Sequence, residues 1–136
     1  MRIVVSGTKF PTQKQIDDLT TWISSLPTDT VIIQGCCIGI DTYAAFLAKA
    51  RGLRVEGYVP FDRSRVDPDV VSVCDLIIEC PNSKESYRTR NEMMVFSLND
   101  KDLDHVRAYP GEEKIRSGTM MTVNIAKRAG FRAEII

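Results

Sequence analysis

A single histidine, no surplus of either charge and no long apolar run mark this sequence, and each lack removes a class of function. His105 alone cannot complete a zinc site with Cys36, Cys37, Cys74 and Cys80, whose spacing is not that of a zinc knuckle, so no metal is expected. Nor can one histidine in a charged stretch before a strand, where solvent exposure is expected, serve a Ser/His/Asp or Cys/His nucleophilic set. Lys+Arg and Asp+Glu number 18 each, so no global field draws the chain to nucleic acid, which is not an expected partner. No segment reaches the roughly 18 uninterrupted apolar residues of a membrane span, so no membrane partner is expected either. Met1 to Val5 runs directly into a strand pattern and lacks the apolar core of a signal peptide. A cytoplasmic location follows as an expectation, with four reduced and mostly buried thiols. The three-glycine dinucleotide fingerprint and the Gly-Lys-Ser/Thr of a P-loop are both missing, and no cofactor is expected.

What remains is an ordinary globular chain of 136 residues, 43% hydrophobic and 26% charged, long enough to bury a core as one domain over 1–136. Strand-like runs appear at Ile3 to Val5, Val31 to Ile33, Leu53 to Val59, Asp75 to Cys80, Val106 to Tyr109 and Phe131 to Ile136. Between them, Ile16, Leu19, Ile23 and Leu26 recur at helical spacing, with Thr12 able to cap and Pro27 ending the run. Further helices are expected from about Asp41 to Arg51, from Ser86 to Leu98, and from Ser117 towards Gly130. Phe61 to Val73 reads as a loop with one helical turn or more. Strands alternating with helices imply right-handed βαβ units: a Rossmann-like, doubly wound α/β domain with a mainly parallel sheet and helices on both faces. Ligands of such sheets lie outside the carboxyl ends of the strands, where the order of connections reverses.

The loops at those ends hold the unusual chemistry. Tyr109-Pro110-Gly111 followed by Arg116-Ser117-Gly118-Thr119 makes a strand, a turn and a helix N-terminus, a ready anion site of free N–H groups and positive dipole. Gly35-Cys36-Cys37-Ile38-Gly39-Ile40-Asp41 opens another helix. Its glycines would let backbone approach a phosphate or ribose, or would serve only a tight turn, and Asp41 is either a ligand contact or a helix start. Ser6-Gly7-Thr8-Lys9 offers hydroxyls, free backbone and a cation. Arg88, Arg90, Asn91 and Glu92 place two cations, an amide and a carboxylate at the start of a helix, where positive charge is unfavourable without a partner or ligand. The alternative is a solvated face with an Arg-to-Glu pair. Met93, Met94, Met120 and Met121 read as core or pocket wall.

The combined order of these segments resembles the SLOG superfamily, the Rossmann-like group of Lonely Guy phosphoribohydrolases and the DNA-processing protein A core. The carrying residues are Ser6 to Lys9, Gly35 to Asp41, Arg90-Asn91-Glu92-Met93-Met94, and Tyr109-Pro110-Gly111 with Ser117-Gly118-Thr119, spanning nearly the whole chain. The resemblance implies a Rossmann-like fold that binds nucleotides or nucleotide-derived ligands, with Gly118 and Thr119 at the phosphate. It also places Arg90 at the arginine of the phosphoribohydrolase Arg-x-x-x-Met segment. Two features depart from that pattern. Thr122 stands where the phosphoribohydrolases carry a catalytic Glu, and Glu112 to Arg116 lengthen the phosphate loop.

The expected function is therefore binding of a nucleotide-like small molecule, such as the cyclic ADP-ribose-type signals of SLOG domains in bacterial immune systems, by a sensor or sequestering protein. The alternative is an enzyme cleaving the N-glycosidic bond of a nucleoside monophosphate, with Glu92 stabilising the developing charge or activating water. The superfamily also suggests a homo-oligomer, with Trp22, Phe46, Phe96, Ile135 and Ile136 available for an interface or the core.

Overall fold

Six short apolar runs become strands, and the polar-apolar segments between them become helices. The computed structural model describes residues 1–112 and 117–136. Chain order is β1 (Arg2–Gly7), α1 (Gln13–Ser25), β2 (Val31–Gln34), α2 (Ile40–Ala50), β3 (Arg54–Val59), α3 (Pro68–Val73), β4 (Leu76–Glu79), α4 (Ser86–Phe96), β5 (His105–Tyr109), α5 (Gly118–Arg128) and β6 (Arg132–Ile135). All pairings between these strands are parallel and the strand order is β4-β3-β2-β1-β5-β6. The order reverses between β1 and β5, which places the switch point at the loops after those two strands.

Alternation along β1 divides the core. Ile3 and Val5 face Leu19 and Ile23 of α1, Ala44 and Ala48 of α2 and Val70 of α3, whereas Val4 faces Met94 and Val95 of α4 and Val123 and Ala126 of α5. Leu19 and Ile23 are sealed from solvent, each worth about 1.5–3 kcal/mol of burial. Local signals set the helix ends. Thr12 Oγ1 accepts from Gln15 N at 3.1 Å while Gln15 Oε1 accepts from Thr12 N at 3.0 Å, a reciprocal cap on α1. Asp67 caps α3, with Pro68 at its first position, so the helical turn expected within 61–73 begins there. Gly52 and Gly130, at φ of 80° and 86°, close α2 and α5.

Several boundaries differ from those expected. Phe131 lies between α5 and β6, its N–H donating back to Ala126 O at 2.9 Å to close the end of the helix. Leu98 N turns back to Val95 O at 3.0 Å beyond the end of α4. β4 is shorter than Asp75 to Cys80, and β2 continues through Gln34.

His105 departs most from expectation. It opens β5 and is buried, not solvent-exposed. Parallel pairing sets Arg132 opposite it, with Nη2 3.1 Å from His105 Nδ1, and Glu134 Oε1 lies 3.7 Å from Nε2. Partners far along the chain make this burial tolerable, and no local pattern announces them. No helix among the described residues is long and apolar enough to cross a membrane.

Candidate functional site

The loops at the carboxyl ends of β1, β2 and β5 meet the first turns of α4 and α5. Thr8 N extends the β1–β5 ladder by donating to Tyr109 O at 2.9 Å, and Thr8 O accepts from Ile40 N at 3.1 Å. The β1 loop is thereby laid across the start of α2. That close approach explains Gly39: its φ is 109°, and a Cβ there would overlap Lys9 Cα and Thr8 O. Gly7 gives way similarly to the side chain of Ile40.

Backbone donors of the turn from Gly35 to Asp41 find partners in the protein itself. Cys36 N donates to Gln34 Oε1 at 2.6 Å, Cys37 N to Asp41 Oδ2 at 3.1 Å, and Ile38 N to Arg65 O at 3.2 Å. The two glycines of this turn make room for other parts of the protein. Gly39 accommodates the β1 loop, and Gly35 accommodates the Arg90 guanidinium. Asp41 is buried, and desolvation pushes its carboxyl up to about 6 although Arg90 opposes this. It both opens α2 and accepts from the turn.

Arg90 and Asn91 lie beneath the surface of α4. Arg90 Nη1 donates to Gly35 O at 2.7 Å and reaches Cys37 Sγ at 3.6 Å, while Nε donates to Asn91 Oδ1 at 2.8 Å. These contacts supply the partners that a cation in the first turns of a helix requires. Asn91 Nδ2 in turn reaches Gly118 O at 3.5 Å, linking α4 to α5. Arg88 turns outward, with Glu85 at 3.6 Å and Glu92 at 3.9 Å, the solvated Arg-to-Glu pairing that was the alternative reading for this stretch. Glu92 is therefore engaged on the outer face. Ser6 pairs with Ala108 at the end of β1, and Lys9 is exposed beside its neighbour Phe10.

The N-terminus of α5 is the open element. Ser117 caps it, its Oγ accepting from Met120 N at 3.2 Å. Gly118 is exposed, and among the described residues a Cβ on it would meet only Asn91 Nδ2, at 3.9 Å, within 4 Å. Thr119 is buried beside it. Arg116, expected to belong here, lies outside the described residues. A cleft of about 810 Å³ flanks this turn, with Thr8, Phe10, Gln15, Pro110, Gly111 and Met120 among its walls. A second, of about 440 Å³, includes Phe61, Ser83, Tyr87, Arg88 and Met121. Consecutive Met120 and Met121 thus face different clefts, and the first turn of α5 divides them. Of the residues singled out from sequence, Thr8, Pro110, Gly111 and Met120 line the larger cleft and Arg88 and Met121 the smaller; Gly35, Asp41, Arg90 and Asn91 support the loops from below. Phe10, Gln15, Phe61 and Tyr87 were not anticipated from sequence. Their adjacency to strand-end loops was the available signal.

Basic and aromatic side chains do interleave at this end. Arg65 and Arg90 both sit over the Tyr87 ring, at 5.4 and 5.6 Å, and Lys9 sits over Phe10 at 5.5 Å. Of these contacts, only that between Arg65 and Tyr87 joins residues distant in sequence.

No family model and no curated protein matches the sequence. Solved structures do match the fold. DNA processing protein A from Streptococcus pneumoniae superposes with a TM-score of 0.76 at 19% identity, over 98% of this chain and 49% of that one. The same protein from Helicobacter pylori, described for its single-stranded DNA binding mode, gives 0.74 at 17% identity over 99% and 64%. The structural-genomics target TM1055 gives 0.69 at 14% identity over 97% and 71%. This chain spans about half the length of the pneumococcal protein. The fold of this chain, a six-stranded parallel sheet between two layers of helices, is Rossmann-like and is shared with DNA processing protein A and TM1055.

Proposed function

We infer that the chain binds a nucleotide or nucleotide-derived ligand, a cyclic ADP-ribose-type signal among the candidates, as a sensor or sequestering protein. The phosphate would sit at the Gly118–Thr119 turn, and the remainder of the ligand would extend into the flanking cleft. The observation that carries this reading is the exposed start of α5 at the β1–β5 switch point, where among the described residues only Asn91 Nδ2 comes within 4 Å of a Cβ built on Gly118, with a cleft of ligand size beside it. Ser117 and Lys9 are the other proposed contacts; Gly35, Asp41, Arg90 and Asn91 hold the loops in place. Calorimetry against a panel of nucleotides and cyclic ADP-ribose isomers tests the reading. Binding that Gly118→Asp abolishes supports it. No binding by any phosphorylated nucleoside would remove it.

A second reading, single-stranded nucleic acid, has its own observation. Phe61, Tyr87 and Arg88 share a cleft, Arg65 stacks on Tyr87, and exposed Phe10 lies beside Lys9, as stacking platforms for bases require. Fluorescence anisotropy with an oligothymidylate at low and moderate salt distinguishes the readings. A steep salt dependence, reduced by Arg65→Ala, indicates nucleic acid. Self-association belongs to the same proposal: Phe46 and Phe96 are exposed, while Trp22 is engaged by Arg107 at 4.5 Å, and light scattering measures the outcome.

A further inference from the structure

Gly57, in β3, leaves a hollow that two sulfurs share. A Cβ built on it would lie 2.5 Å from Cys36 Sγ and 2.8 Å from Cys74 Sγ. Gln34 Nε2 spans the same pair, 3.7 Å from Cys36 Sγ and 3.3 Å from Cys74 Sγ. The two cysteines belong to different segments. Cys36 lies in the turn between β2 and α2, at a φ of 59°, held there by the Gln34 side chain and by Asp67 N donating to its carbonyl at 2.8 Å. Cys74 closes the C-terminal end of α3. The remaining cysteines stand apart: Cys37 contacts Arg90, and Cys80 packs in the core on the opposite face of the sheet.

We propose that Cys36 and Cys74 form a reversible intramolecular disulfide on exposure to a peroxide, tying the β2–α2 turn to the end of α3. The pair is asymmetric in a way that suits this chemistry. Cys74 is half-buried, and hydrogen bonding from Cys36 lowers its pKa. Cys36 is sealed from solvent, and the same pairing together with burial holds it protonated. The Cys74 thiolate attacks one peroxide oxygen and the O–O bond breaks. The departing hydroxide takes up from solvent the proton that Cys74 released on ionising and leaves as water, and Cys74 becomes a sulfenic acid. The Cys36 sulfur then attacks the Cys74 sulfur, and the hydroxyl leaves with the Cys36 proton as a second water. Two thiols and one peroxide give one disulfide and two waters; the sulfurs are oxidised and the peroxide is reduced.

This inference is independent of any ligand. The full-length protein is treated with equimolar hydrogen peroxide, the remaining thiols are alkylated under denaturing conditions, and peptides are mapped without reduction. Two of the four thiols should disappear into a Cys36–Cys74 cross-link that dithiothreitol reverses. The cross-link should persist in Cys37→Ser and be absent from Cys36→Ala and Cys74→Ser. Amide exchange over residues 35–41 should slow in the oxidised protein. Four alkylated thiols, or a cross-link through Cys37, Cys80 or a second molecule, would overturn the proposal, and the wild-type map alone decides this if a variant fails to fold.

Discussion

Arg90 donates from Nη1 to the carbonyl oxygen of Gly35 at 2.7 Å, and its guanidinium fills the space that a side chain on Gly35 would need. Two residues that each suggested ligand contact are thus engaged with one another. Gly35→Ala should displace the end of a flexible side chain rather than backbone. The expected cost is that of a hydrogen bond to a charged group, about 1.5–3 kcal/mol. Urea denaturation measures it, and a double-mutant cycle with Arg90→Lys should show coupling above about 0.5 kcal/mol. Simple additivity would mean that the pair is not what fixes Gly35.

Gly39→Ala should be worse. Its Cβ would meet the backbone at Thr8 and Lys9, which has no rotamer to change, and its φ of 109° with ψ of −130° suits only glycine. The dihedral contributes roughly 1–3 kcal/mol and the overlap roughly as much again. The denaturation midpoint of Gly39→Ala should therefore fall below that of Gly35→Ala. The reverse order would contradict this account of the turn.

These glycines show where sequence reading stops. The strands were legible because β-branched runs such as Ile3-Val4-Val5 and Val31-Ile32-Ile33 have one economical fate, and Thr12, Gly52 and Gly130 mark helix ends by local rules. The doubly wound, mainly parallel topology followed from the alternation of strands with helices. A glycine that makes room for a ligand and one that makes room for Arg90 are identical in one dimension, and only the packing of α4 against the β2–α2 turn separates them. The same limit hid the burial of His105, set by Arg132 and Glu134 across a parallel pairing, and the meeting of Cys36 with Cys74 over Gly57.

Asp41 should make the protein less stable as pH rises. Its carboxyl is pushed from an ordinary 3.8 up to about 6, so the folded state holds the proton that the unfolded chain has released. Its contribution to stability is therefore greatest below about pH 4, declines through that interval by about 3 kcal/mol, and is level above it. Depressed carboxylates such as Glu56 and Asp104 act in the opposite sense, so the difference between proteins is the quantity to read. Urea midpoints between pH 4.5 and 7.5 should show Asp41→Asn gaining on the wild type as pH rises. A constant difference would show that Asp41 does not titrate in this interval.

Tyr109 anchors the opposite face of the switch point. Its hydroxyl donates to Asp18 Oδ1 at 2.7 Å and accepts from Arg107 Nε at 2.8 Å, while Arg107 also reaches Asp18 and Glu134, each at 2.8 Å. The hydrogen bond from Tyr109 is the largest cause holding Asp18 below its ordinary range. Tyr109→Phe should raise the Asp18 titration midpoint, read by NMR, and cost about 1–3 kcal/mol near neutral pH. The contribution of Asp18 is present above pH 3.8 and lost as pH falls through its depressed pKa, so the penalty should shrink in acid. An unmoved Asp18 would assign the shift to Arg107 instead.

Thr122 stands where the phosphoribohydrolase pattern carries its glutamate, yet restoring that residue should not restore chemistry. The threonine is fully buried in α5, its Oγ1 donating to Gly118 O at 3.0 Å. A glutamate there would lose this bond and place a larger, ionisable group in a site sealed from solvent. The expected cost is about 3 kcal/mol or more unless the carboxyl stays protonated. Thr122→Glu should therefore lower the thermal midpoint and release no adenine from AMP above the rate in buffer, measured by chromatography. Base release by a stably folded Thr122→Glu would show that the helix can turn this position towards the cleft, and would move the reading from a binding protein to a lapsed hydrolase.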